Sequence, residues 1–248
     1  MLTGKTIVLA VSGSIAAYKI PNLARMLKKE GADVQVLMTR NAAQFITPVT
    51  FESLTGNKCL IDTFDRNFKY SVEHVALAKR ADVVMIAPAS ANVIGKIACG
   101  IADDMLTTTV MACPCKKIVS PAMNHNMYHN PIVQDNLSRL SSFGYEILSP
   151  GRGMLANGDE GDGRMPDEAV LFQHILKETA FEKDLSGKKI LVTAGATRES
   201  IDPVRFITNH SSGKMGRAIA RAAAFRGAEV TFIFGHMDAE PPMFVKKI

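Results

Sequence analysis

The chain has 248 residues, 47% hydrophobic and 21% charged, with a formal net charge of +5, the composition of a soluble globular protein with room for one large domain or one and a half typical ones. Four cysteines make no disulfide framework, and the apolar stretch TIVLAVSGSIAAY is too short and broken for a membrane span and lacks a signal peptide's basic flank, so a cytoplasmic chain with reduced thiols is expected. Basic residues are dispersed and Trp is absent, which leaves no aromatic–basic nucleic-acid surface; small phosphorylated ligands suit the positive balance.

Residues 6–11, TIVLAV, form a continuous apolar, β-branched run that ends at Ser-Gly-Ser. Ile20, Leu23, Ala24 and Leu27 then recur at i, i+3, i+4 and i+7, which predicts a helix stopped by Gly31. ADVQVLMT alternates Val34, Val36 and Met38 as a strand. Strand, helix and strand in this space make a βαβ unit, hence a parallel sheet. Farther on, ADVVMIAPAS (81–90) is a buried-type strand, NVIGKIACGIADDMLTTTVMA (92–112) reads as one helix and KKIVSPAMN (116–124) as a strand. PIVQDNLSRLSSFG (131–144) is a helix, and YEILSP closes the set. The alternation predicts an α/β fold with a doubly wound parallel sheet and ligands at the C-terminal ends of its strands.

GMLANGDEGDGRMPDE (153–168) has the composition of a surface loop and is either a linker or a flap. An amphipathic helix, EAVLFQHILKETAF, and a polar linker follow, after which the chain repeats itself. LTGKTIVLAVSGS (2–14) is echoed by LSGKKILVTAGAT (185–197), and KEGADVQVL (29–37) by FRGAEVTFI (225–233). The expected division is therefore 1–182 and 183–248, the second part being the start of a further Rossmann-like domain. That part is expected to be too small to close its own core, so either it docks on the first domain or the chain is a piece of something longer, the reading favoured here.

The first strand-to-helix turn is SGSIAAYK. Its backbone N–H groups with the hydroxyls of Ser12 and Ser14 can hold a phosphate, or the serines can simply cap the helix; both readings are open. Thr39 and Arg40 stand where a dinucleotide fold places an acid for the ribose, which favours a mononucleotide's phosphate over NAD. Ser90 and Asn92 in APASAN, and Asn124 in SPAMNHNM, occupy two more strand ends. Such residues often only satisfy backbone groups, but three polar turns at three strand ends point to one pocket. His74 is either a structural histidine or a general base. Cys113-Pro-Cys115 lacks a second Cys/His pair at ligand spacing, so no metal is expected.

Taken together, SGSIAAYK, EHVALAKRADVVMIAPASANVIGKIACGIADDMLTT, PAMNHNMYHNP and GDEGDGRMPDE resemble the flavin-dependent cysteine decarboxylase family. TAGATRESIDPVRFITNHSSGKMG (193–216) resembles the opening of the phosphopantothenate–cysteine ligases fused to that family's phosphopantothenoylcysteine decarboxylases in coenzyme A biosynthesis. The resemblance covers essentially the whole chain. It implies a flavodoxin-like flavoprotein domain, with FMN bound between subunits of a homotrimer or homododecamer, and no nucleic-acid or membrane partner. The implied reaction is decarboxylation of 4′-phosphopantothenoylcysteine to 4′-phosphopantetheine. In that chemistry the thiol carbon is oxidised to a thioaldehyde, an electron sink that lets CO₂ leave, and the resulting enethiol is then reduced and protonated.

The resemblance places the phosphate on Gly13, Ser14 and Ile15 with Thr39 nearby, and the flavin beside Ser90, Ala91, Asn92 and Ala122. It makes His74 the active-site histidine and sets Asn124 on the substrate carboxylate beside Met127; Tyr128 stands where Trp is usual. Gly163, Arg164 and Met165 belong to a flap that clamps the substrate. The family's flap pattern, L-A-C-G then G-x-G-R-M, is broken at Asn157, which replaces the proton-donor cysteine and as an amide cannot donate a proton at physiological pH. Another acid such as Asp159 or Glu160, or water, takes over; or the reaction stops at the enethiol, as in peptide-modifying oxidative decarboxylases; or the change is engineered or lineage-specific. A non-catalytic flavin-binding regulatory relative and a flavin prenyltransferase are further alternatives, disfavoured by His74, Asn124 and the ligase stretch. In that stretch Asn209 matches an asparagine linked to acyl-cytidylate turnover, and Gly195-Ala196-Thr197 stands for the usual Gly-Gly-Thr. CTP and Mg²⁺ are implied only for a complete ligase domain, so this chain alone is expected to lack ligase activity.

Overall fold

A computed structural model describes residues 1–63, 73–154 and 160–248. They divide into two compact units, Met1–Ile175 and Leu176–Ile248. The first begins β1 (Thr6–Val11), α1 (Ile20–Lys29), β2 (Asp33–Met38), α2 (Pro48–Thr55), α3 (Glu73–Arg80), β3 (Val83–Ala89), α4 (Ala91–Ala98), α5 (Met105–Ala112) and β4 (Lys116–Pro121). It continues through α6 (His125–Tyr128), α7 (Pro131–Ser142), β5 (Glu146–Ile147), β6 (Gly151–Met154) and β7 (Glu160–Arg164) into α8 (Glu168–Thr179), within which the unit boundary falls.

The central sheet runs β2-β1-β3-β4-β5, all parallel. This is the flavodoxin-like strand order, which changes direction between β1 and β3 and opens a crevice beyond their C-terminal ends. Every residue of β1 is buried, as a strand covered on both faces requires. On α1 the predicted stripe Ile20, Leu23, Ala24 and Leu27 is wholly buried; each such Leu or Ile contributes roughly 1.5–3 kcal/mol. The β3–β4 register shifts between Ile86 and Ala89, around Pro88, whose nitrogen has no hydrogen to donate.

Three sequence expectations are corrected here. The single helix read over 92–112 is two, α4 and α5, because Asp104 starts a new helix with a reciprocal capping box to Thr107. The chain before β3 holds two helices beyond those expected, α2 and α3. The acidic loop contributes an antiparallel pair, β6 with β7.

The second unit contains β8 (Lys189–Ala194), β9 (Arg198–Ser200), β10 (Phe206–Thr208), α9 (Lys214–Phe225), β11 (Glu229–Phe234) and β12 (Lys246–Lys247). Its parallel sheet runs β12-β11-β8, with β9 and β10 forming a separate antiparallel pair. Ala220, Ala223 and Ala224 of α9 pack with Val192, Val230 and Phe232 of the strands in a core of its own, which corrects the expectation that this part is too small to close one: alanines let the helix lie close on the strands. Among the described residues no helix is long and apolar enough to cross a membrane.

Candidate functional site

At the crevice between β1 and β3 lies a cleft of about 900 Å³. Gly13 after β1, Thr39 after β2, Ser90, Ala91 and Asn92 after β3, and Met127 on α6 all line it. With Arg40, which also lines it, seven of the residues singled out in the sequence thus meet at the ends of successive strands.

Backbone supplies one wall. Gly13 lies so close to Asn41 that a Cβ at position 13 would sit 2.6 Å from the Asn41 Cβ. Beyond it, the backbone N–H groups of Gly13, Ser14 and Ile15 have no hydrogen-bond acceptor among the described residues. Three consecutive unpaired donors at the start of a helical turn suit an anionic oxygen cluster such as a phosphate. Ser14 is the cap of that turn, its hydroxyl accepting the Ala16 N–H at 3.4 Å. Thr39 accepts the Ala42 N–H at 3.1 Å through Oγ1, and Ser90 caps α4 by accepting the Val93 N–H at 3.5 Å.

The Ser12 hydroxyl, one of the two read as a phosphate holder or a cap, is engaged by protein groups. The side chain is fully buried, donates to the Pro88 carbonyl at 2.7 Å and accepts the Ser90 N–H at 2.8 Å. It braces the ends of β1 and β3 from beneath the cleft.

Charge enters at the rim in pairs. Arg40 donates to Asp62 at 2.7 Å, and Lys96 donates to Asp103 at 2.7 Å and Asp104 at 3.3 Å. The Asp103 hydrogen bond holds the Lys96 ammonium above its ordinary pKa, and Lys96 in turn holds the Asp103 carboxyl below the usual range.

A second group lies along the loop after β4. Ala122 is buried and its N–H donates to Ala89 at 3.0 Å. Asn124 caps α6, its Oδ1 accepting the Asn126 N–H at 2.9 Å, which leaves the side-chain NH₂ to donate elsewhere. The Met123 N–H donates to the Gly163 carbonyl at 3.1 Å and seats β7 on this loop. Gly163 has φ +128°, and a Cβ there would be 2.2 Å from the Met123 oxygen. Met165 is buried, while Arg164 is half exposed, 3.6 Å from Asp167, which also accepts from Lys19 at 3.1 Å.

Three site residues remain. His74 is partly buried on α3 and is not among the residues lining the cleft. Asn157 lies outside the described residues. Asn209, in the second unit, accepts the Ser211 N–H at 2.9 Å.

A family profile described as "Flavoprotein" matches residues 1–180. The chain belongs to the flavoprotein family. In this flavoprotein a second profile, "DNA/pantothenate metabolism flavoprotein C-terminal domain", matches residues 185–248. The flavoprotein is 48% identical over 248 residues to the coenzyme A biosynthesis bifunctional protein CoaBC of Vibrio vulnificus (strain YJ016), covering 100% of this chain and 61% of that protein. The Escherichia coli (strain K12) protein of the same description is 45% identical over 247 residues, with the same shares covered. This flavoprotein therefore spans about three fifths of the length of both relatives.

Among solved structures, a mutant PPC decarboxylase complexed with pantothenoylaminoethenethiol is 32% identical, with a TM-score of 0.62 over 69% of this chain and 96% of that one. The FMN-dependent cysteine decarboxylase SpaF is 36% identical, with a TM-score of 0.59 over 65% and 92% of the two chains.

Proposed function

We propose that the first unit binds FMN in the cleft and decarboxylates 4′-phosphopantothenoylcysteine to 4′-phosphopantetheine in coenzyme A biosynthesis. The second unit is read as the opening part of a phosphopantothenate–cysteine ligase, which would use CTP and Mg²⁺ when complete. The protein is assigned to the cytoplasm as a homotrimer or homododecamer with the flavin between subunits. The observation that carries the reading is the bond from Met123 to Gly163. It lays the Gly-Asp-Gly-Arg strand along the loop that presents Asn124, and the helix capped by Asn124 puts Met127 into the cleft.

The residues present fit the cofactor. The unpaired N–H groups of residues 13–15, with Thr39, would hold its phosphate; Ser90, Ala91, Asn92 and Ala122 would border the ring system. When bound, FMN supplies the two-electron redox chemistry without which loss of CO₂ would leave an unstabilised carbanion. The protein's part is placement. Asn124, its oxygen already tied to Asn126, turns its NH₂ toward a substrate carboxylate, and Met127 packs beside it. Gly163, Arg164 and Met165 close over the substrate and keep water out. His74 does not line its own chain's cleft, and the proposed assembly would offer it to a neighbour's. The proton that completes the reaction comes from a group other than Asn157.

The test is anaerobic incubation of the FMN-loaded protein with phosphopantothenoylcysteine, with flavin absorbance followed and products weighed. Catalytic 4′-phosphopantetheine with the flavin colour returning is the expected result. An enethiol two hydrogens lighter, with the flavin left bleached, would confine the protein to oxidative decarboxylation; absence of CO₂ release would overturn the enzyme reading. CTP- and cysteine-dependent ligation by the 248-residue chain would overturn the assignment of the second unit as incomplete.

A further inference from the structure

We propose that His125, His129 and Asp162 form a binding site for a divalent transition-metal ion of the zinc or cobalt class, one that fastens β7 to α6. The sequence expectation of no metal looked for a second Cys/His pair to join Cys113 and Cys115 and found none; the histidine pair that contradicts it lies four residues apart, one helical turn, and so on one face. Each of the three side chains offers a ligand atom, and all three atoms lie within 4.8 Å of one another. His129 Nε2 and Asp162 Oδ2 are 3.1 Å apart. Two ligands about 2.0–2.2 Å from a tetrahedral ion stand roughly 3.3 Å apart, so this pair is already near bite distance. The His125 and His129 rings are 4.4 Å apart between centroids, and closing the third side requires a small shift.

The hairpin strand is shaped to this histidine. A Cβ at Gly161 would lie 2.8 Å from His125 Nδ1, so a residue without one allows β7 to lie across the ring. In the metal-free protein the Asp162 N–H donates to His125 Nδ1 at 3.2 Å. A neutral imidazole has a single acceptor lone pair, so an ion takes that lone pair in place of the N–H, and binding exchanges this hydrogen bond for a coordinate bond. Two imidazoles and one carboxylate favour zinc, cobalt or nickel over magnesium or calcium, which prefer all-oxygen shells. The side chains of His129 and Asp162 are 48% and 38% exposed, leaving coordination positions open to water. An ion here would replace the weak, partly solvated His129–Asp162 contact with coordinate bonds, and would hold β7 on the loop where Met123 meets Gly163. None of the three ligands lines the cleft, so the site stands apart from the proposed FMN residues.

The experiment is titration of the reduced, full 248-residue protein with Co²⁺, followed by its d–d absorption and by equilibrium dialysis. One equivalent is expected, and H129A and D162N each weaken binding by at least about tenfold, with far-UV circular dichroism unchanged. Because His125 packs on the hairpin and its loss can unfold the region, His129→Gln, at an exposed position, supplies an independent variant with the same expected loss. C115S should bind as the wild type does. Absence of saturable Co²⁺ binding, equal affinity in the His129 and Asp162 variants, or loss of binding in C115S would each overturn the proposal. The readout is the metal itself, so failure here leaves the decarboxylase reading intact, and failure of that reading leaves this site intact.

Discussion

The Ser12 hydroxyl accepts the backbone N–H of Ser90 at 2.8 Å while donating to the Pro88 carbonyl, so one buried side chain locks together the two strand ends between which the sheet changes direction. Ser12→Ala removes that clasp and leaves the Ser90 N–H without its acceptor. The expected cost is about 1–3 kcal/mol, read as a lower thermal midpoint together with weaker FMN retention. An unchanged midpoint would mean that the clasp is dispensable.

Gly163 is a backbone requirement, because its φ is +128° and an added methyl would meet the Met123 oxygen at 2.2 Å. Gly163→Ala should unseat β7 while leaving the five-stranded sheet intact. The decarboxylation kcat/KM is expected to fall by about a hundredfold, as misplacement of a positioning segment by an ångström can do. Normal FMN absorbance and normal melting separate this outcome from unfolding; full activity would refute the seating role.

The observed cap uses the Asn124 oxygen and the proposed substrate contact its NH₂, and two substitutions separate them. Asn124→Asp keeps an oxygen to accept the Asn126 N–H, so α6 stays capped, but it removes the NH₂ and sets a carboxylate against the substrate's own. Asn124→Ala loses both. A folded, flavin-binding Asn124→Asp protein slowed by about 10²–10³ in kcat/KM is expected. Comparable activity in the Asp variant and the wild type would remove the NH₂ from the proposal.

The thiols should alkylate in a defined order. Burial, aided by Glu52, pushes Cys59 up to about 12. Cys113 is driven above the usual thiol range, first because it donates to Cys115 and then by burial. That same hydrogen bond, helped by Lys117, holds Cys115 below its ordinary value against partial burial. Cys115 also borders a hollow of about 310 Å³ shared with Lys117 and Tyr145. As the thiolate is the reactive form and grows with pH, iodoacetamide near pH 7.5 should label Cys115 and the exposed Cys99 while sparing Cys59 and Cys113. Cys113→Ala should slow Cys115 labelling several-fold. Peptide mass mapping decides both, and equal labelling of all four thiols would contradict the order.

Where one apolar period served one element, the fold was legible: the α1 stripe from Ile20 to Leu27 is buried residue for residue, and β1 is apolar throughout because both its faces are covered. Helix α2 gave no such signal, since only Phe51 and Thr55 of its eight residues are buried and Val49 and Thr50 favour strands locally. The break between α4 and α5 was hidden by uninterrupted apolar content, with Asp104 as the overlooked mark of a fresh start. Strand β7 escaped notice because Gly161 and Gly163, its inward positions, have no side chains to alternate. In the site, strand-end turns were legible one by one, but the commitment of the Ser12 hydroxyl was not, its partners lying 76 and 78 residues away.

Asp167 accepts from Lys19, in the turn that follows the unpaired N–H groups, and stands beside Arg164 at the end of the hairpin. On the proposed reading, phosphate binding and closure of the hairpin draw on one carboxylate and so share a free energy, and linkage makes the effect mutual: however much the phosphate alters closure, closure alters phosphate affinity by the same factor. Asp167 is largely exposed, so that factor is modest, under about fivefold, the equivalent of a surface ion pair. Asp167→Asn should accordingly bring the FMN affinities measured with and without substrate closer together, a thermodynamic signature that neither affinity alone would show.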